Sequence, residues 1–90
     1  MDEHEELLRL RASRSRMAYM AIKALACDPV NGVAMVVLAS IASEAGYSGL
    51  LFAADNNSMT LAAFKLLPMV ERDLADANRA VANLAFSRRP

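Results

Sequence analysis

This sequence predicts an all-α fold: a small helical bundle of three to five helices with a long C-terminal helix kinked or broken near Pro68. Three observations carry that expectation. Residues 2 to 27 run without a glycine or proline. From Thr60 to Leu84, apolar and small residues recur at alternating steps of three and four, the spacing of one helix laid along another. Between Pro29 and Val70 the only charged side chains are Glu44, Asp55 and Lys65, whereas both ends of the chain are dense with Arg, Asp and Glu. A stretch so poor in charge is driven out of water, against other helices or another chain.

The first helix is expected over residues 2 to 27. Acidic side chains at Asp2, Glu3, Glu5 and Glu6 suit its positive N-terminal end, and Glu5 stands one turn before Arg9, the spacing of an ion pair. Its apolar residues fall on two stripes. Leu8, Ala12, Tyr19, Ile22 and Ala26 form one, and Leu10, Met17, Met20, Ala24 and Cys27 the other. So wide an apolar face predicts contact with more than one neighbour. The turn formers from Asp28 to Gly32 then end the helix.

A second helix is expected from Val33 to about Ala45, stopped by Gly46, with a bend at Ser48 and Gly49 and a brief third helix over Leu50 to Ala54. Asp55-Asn56-Asn57-Ser58 punctuates again, and Ser58 is the expected N-cap of the C-terminal helix. That last segment carries the heptad seam Thr60, Ala63, Leu67, Val70, Leu74, Ala77, Val81 and Leu84. Pro68 lies within it. Because proline lacks a backbone donor and crowds the preceding turn, a kink is expected there, or a separate helix that opens at Pro68 with Glu71 and Asp73 near its start.

Ninety residues make one helical domain, which hides only about 60 to 65% of the surface of its unfolded chain. Hydrophobic residues are 56% of the total, against about 45 to 50% in an ordinary soluble domain. Self-association is the resulting expectation, with Leu67, Val70, Leu74, Ala77, Val81 and Leu84 as the oligomer interface. On that reading, replacing Leu74 and Val81 by Asp dissociates the oligomer. Ten basic and ten acidic residues cancel, so no long-range field gathers polyanions around the whole molecule. The acidic start from Met1 to Glu6 is unlike a secretory leader and points to the cytoplasm. Cys27 is alone, which excludes an intrachain disulfide or a cysteine metal cluster.

The one concentration of positive charge is Arg9, Arg11, Arg14 and Arg16, with Lys23 further on. Guanidinium groups so close together suit phosphates or an acidic protein surface, and these four are the candidate partner-binding residues. The upstream carboxylates offset them, and a solvated helix face is the plainer reading. The six methionines add adaptable apolar surface, or simply core filler.

Ile41-Ala42-Ser43-Glu44-Ala45-Gly46-Tyr47-Ser48 resembles the helix-turn-helix motif of bacterial repressors over roughly residues 38 to 57. The resemblance implies a DNA-binding regulator whose second helix reads base edges with Arg, Lys, Asn or Gln. Here that helix would offer Ser48, Gly49, Leu50, Leu51, Phe52, Ala53 and Ala54, and Asp55 falls where an apolar residue is usual. A glycine-mediated corner between packed helices accounts for the same residues.

Chemistry finds little purchase. His4 is the sole histidine and sits among carboxylates near a terminus, and Cys27, at the end of an apolar stripe, reads as a small buried hydrophobe. Neither catalysis nor a cofactor nor a metal is expected. Val33 to Ala54 is long enough to cross a bilayer, but its centre holds Ser43, Glu44, Tyr47 and Ser48, so two helices joined by a turn are preferred to a holin-like span. The sequence therefore reads as a small accessory or inhibitory protein, of a kind found in phages or mobile elements, that binds or occludes a protein partner and self-associates. Nucleic acid is the less favoured partner and a membrane the least.

Overall fold

The computed structural model describes residues 2–27, 32–53 and 55–87. Three α-helices, α1 (Glu3–Cys27), α2 (Gly32–Glu44) and α3 (Asn56–Ser87), are joined by one 3₁₀ turn at Ser48–Phe52, with no strand among the described residues. The all-α expectation holds. Of the turn expected from Asp28 to Gly32, residues 28–31 lie outside the described residues, and Gly32 is already the first residue of α2.

Each helix end has a local cause. At the start of α1, the Asp2 carboxylate accepts the Glu5 backbone N–H at 2.7 Å, satisfying a donor that has no partner within the helix. Glu5 then accepts from Arg9 at 3.3 Å, the ion pair that the spacing predicts. The C-terminus of α2 is a Schellman turn. Gly46 takes φ = 104°, a region costly for side-chain-bearing residues, while the Gly46 N–H reaches Ser43 and the Tyr47 N–H reaches Ala42, both at 2.9 Å. α3 begins before the expected cap: the Asp55 carboxylate, not Ser58, caps it, accepting the Ser58 N–H at 2.7 Å. That bond, with a second from the Ser58 hydroxyl, holds the Asp55 carboxyl below its ordinary range.

α1 and α3 form a long pair. Gly32, the first residue of α2, lies beside the Asn56 side chain that opens α3, so the C-terminal end of α1 meets the N-terminal end of α3 and the two helices run antiparallel. The heptad residues Ala63, Val70 and Ala77 are buried, alternating with half-buried Leu67, Leu74, Val81 and Leu84. On α1 the matching seam is the first apolar stripe, with Ala12 and Ile22 buried and Leu8, Tyr19 and Ala26 half-buried. Buried Glu5 and half-buried Ser15 complete that seam, which apolar pattern alone could not reveal because both are polar.

α3 is continuous through Pro68. The alternative of a separate helix opening at Pro68 is thereby corrected. Residue 68 and Phe64, whose carbonyl loses its helical donor to the proline, are both exposed, so water can serve that oxygen.

α2 lies across the C-terminal half of α1, burying Met35, Ala39 and Ala42 against Ala18, Ala21 and Leu25. Alanine on both sides lets the two backbones approach closely. The segment after α2 returns along it, placing Leu50 in the core and Tyr47 against α3, where its hydroxyl donates to Asp73. This body has a contiguous core that excludes Ala12 and Ala77. Beyond it, the N-terminal half of α1 and the C-terminal half of α3 extend as a two-helix tip. The result is a rod of 53 × 20 × 17 Å whose radius of gyration, 15.1 Å, exceeds the about 12 Å of a compact chain this long.

The Tyr47–Asp73 bond makes stability depend on alkaline pH. Burial pushes the Tyr47 phenol up from 10.0 to about 12, and the hydrogen bond to the Asp73 carboxylate adds to the shift. A group whose folded value is raised stabilises fully below its unfolded value and ceases to do so as pH rises through the folded one. Stability is therefore expected to fall between pH 10 and about 12 from this group. Tyr47→Phe should cost roughly 1 kcal/mol at pH 7 and flatten that alkaline fall; urea denaturation of both proteins at pH 8 and 11 measures the difference. Parallel pH dependences would disprove the role of the phenol.

Candidate interaction surface

An open groove of about 690 Å³ runs between α1 and α2. Met17, Met20, Ala21 and Ala24 form one wall, Leu38, Ile41 and Ala45 the other, and Arg14 and Glu44 stand at one end. The α1 wall is largely the second apolar stripe of the sequence. A neighbouring helix is expected on that stripe, but α2 instead seats on Ala18, Ala21 and Leu25, leaving Leu10, Met17 and Met20 more than half exposed. Cys27, at the end of the same stripe, is exposed and not a buried hydrophobe, because it is the last residue of α1.

The apolar surface continues onto α2. Met35, Ala39 and Ala42 face inward, which turns Val33, Val36, Val37 and Ile41 outward; Val33 is 78% exposed. Glu44 is the only charge on this helix, and the Ser40 hydroxyl is turned back to the Val36 carbonyl at 2.9 Å. The outer face of α2 therefore offers water almost no polar side-chain group. Surfaces of this kind mark contact sites.

The four arginines all lie on the two-helix tip or where it joins the body. Successive residues turn about 100° around the axis, which puts Arg9 and Arg16 on one flank of the α1 seam and Arg11 and Arg14 on the other. They form no single patch. Arg9 is committed to Glu5, whereas Arg11, Arg14 and Arg16 are exposed with no ion pair among the described residues. Lys23 sits 5.5 Å from the centre of the Tyr19 ring, a cation–π contact at the α3 side of α1.

Of the residues assigned to an oligomer interface from sequence, Val70 and Ala77 are already covered within the chain, and Leu67, Leu74, Val81 and Leu84 are half covered. Their partner across the seam is α1. Asp at Leu74 and Val81 would thus strike the intrachain seam first. At the helix-turn-helix-like corner, the position of a second helix is filled by the five-residue 3₁₀ turn Ser48–Phe52. His4 is exposed. Among the described residues no helix is long and apolar enough to cross a membrane.

Comparison with models of protein families, with curated proteins and with solved structures returns no match to this chain.

Proposed function

We propose that this chain is a cytoplasmic helical interaction module, an accessory or inhibitory protein of the phage or mobile-element kind, that works by binding or occluding a protein partner rather than by chemistry. The apolar α1–α2 surface serves self-association, and the tip presents Arg11, Arg14 and Arg16 to the partner. The observation that supports this reading best is the breadth of apolar surface that one copy leaves open, with Met17, Met20, Val33 and Val37 all at least half exposed. Three guanidinium groups with no ion pair among the described residues, on a projecting tip, suit an acidic protein surface.

Affinity capture with the unmodified chain from its native host, followed by mass spectrometry, is the test. One protein is expected to be retained and to be lost when Arg11, Arg14 and Arg16 are all changed to Glu. Equal retention by that variant would remove the arginines from the reading. Retention of duplex DNA instead, with affinity falling steeply with salt, would replace it with a nucleic-acid regulator.

A further inference from the structure

The outer face of α2 and the adjoining groove raise the question of what covers them. The open fractions of Leu10, Met17, Met20, Val33, Val37 and Ile41, with Val36 beside them, amount to on the order of 700 Å² of apolar surface. The largest such patch on a monomer is usually about 300 to 600 Å², and each side of a standard protein interface buries about 800 Å². The area is that of one half of a dimer.

Charge decides how two such halves fit. Glu44, in the last turn of α2, is the only charge along the outer face, and the exposed start of that face, at Gly32 and Val33, carries none. If two copies of α2 lay parallel, the two carboxylates would meet side by side in an apolar contact, which is costly. Laid antiparallel about a two-fold axis between Val37 and Ser40, they separate by about 16 Å along the helices. Each then lies over the first turn of the other copy's α2, where the helix dipole favours an anion. The face is thus self-complementary in the way an isologous contact requires: apolar against apolar, and each carboxylate over a positive helix end.

Resting on the self-association proposed above, we infer that the partner of this surface is a second copy of the chain, docked α2 against α2 in antiparallel order with Glu44 over the opposite N-terminus. The groove walls on α1 flank this central pair and close over the opposing Val37 and Ile41. The arginine-bearing tips point away from the axis, one on each side.

Light scattering on the full chain at tens of micromolar tests the association, and crosslinking tests the geometry. The unmodified chain is expected to run at twice its own mass. Val37→Asp, with Val33→Asp as a second variant, should weaken dimerisation by roughly a hundredfold or more; both sites are exposed, so the helical circular dichroism should persist. Glu44→Lys should weaken it by roughly three- to tenfold. In a Cys27→Ser background, Ser40→Cys should be joined across copies by a short bismaleimide, and Asn57→Cys should not. A monomer overturns both the self-association and this inference, as does a monomer that floats with phosphatidylcholine vesicles. A dimer that survives Val37→Asp and Val33→Asp, or that crosslinks at residue 57 and not at residue 40, overturns the α2 geometry and leaves self-association standing.

Discussion

Replacing Pro68 by Ala is expected to raise the melting midpoint by roughly 5 to 15 °C, the opposite of the usual effect of a mutation. The reason is that α3 passes through Pro68 without interruption. A proline inside a helix forfeits one backbone hydrogen bond and presses its ring on the carbonyl four residues back, at a cost of about 3 kcal/mol. Alanine restores the N–H that the Phe64 carbonyl lacks and has the highest helix propensity. Against this, proline narrows the unfolded ensemble by about 0.4 to 1 kcal/mol, so the net gain is roughly 2 kcal/mol. Pro68 is exposed, and no core contact is lost with it. A midpoint that stays put or falls would mean that α3 is divided at this residue in solution, the alternative that the sequence leaves open.

The second large effect runs the other way. Leu25→Ala should destabilise by about 2 to 5 kcal/mol, against a total of roughly 5 to 13 kcal/mol for a chain of this length. Leu25 is fully buried where α1, α2 and α3 converge, among Met35, Ala39, Met59 and Ala63. Most of those neighbours are alanines or unbranched side chains on rigid helices, and alanine methyls cannot move inward to fill a lost isobutyl group. The midpoint should drop by roughly 10 to 20 °C. Thermal scans of both variants belong at one fixed chain concentration, because association raises the apparent midpoint. By contrast Leu10→Ala, at an exposed site of the tip, should cost the isolated chain little. Equal losses at Leu25 and Leu10 would show that the body is no better packed than the tip.

The division into body and tip gives the proposed function its physical setting. Among the described residues the body owns nearly all the core and carries the apolar α2 face, while the tip buries Glu5, Ala12 and Ala77 and projects the arginines. A dimer built on α2 would stiffen the body and leave two tips displayed. Self-association and partner binding then use surfaces that meet only near Arg14, at the end of the groove, and each can be altered without the other: Val37→Asp for the first, charge reversal at Arg11 and Arg16 for the second.

Much of the architecture is legible in the residues. Uninterrupted helix formers after Asp2 define α1, Gly46 ends α2, and the three-four spacing from Thr60 announces a helix that lies along another. Local rules suffice for these, because helix formation and its punctuation depend on neighbours within about four residues. They are less sharp at the start of α3, where any of four successive residues could serve as the cap and Asp55, not Ser58, does so.

What the local rules could not supply was the identity of partners. A heptad seam states that a helix packs on something, with equal force for α1 of the same chain and for a second chain, since the apolar pattern is identical in both cases. In the packed chain α1 lies on that seam, covering Val70 and Ala77 and part of Leu67, Leu74, Val81 and Leu84, while the second stripe of α1 and the outer face of α2 stay open. Tertiary structure also decided that Pro68 stays inside a helix, because the contacts of α3 with α1 on both sides of that residue outweigh one missing hydrogen bond. The sequence determined which segments are helical and which of their faces avoid water; only the packed chain determined which of those faces were already satisfied, because burial is a sum over distant residues that no local pattern contains.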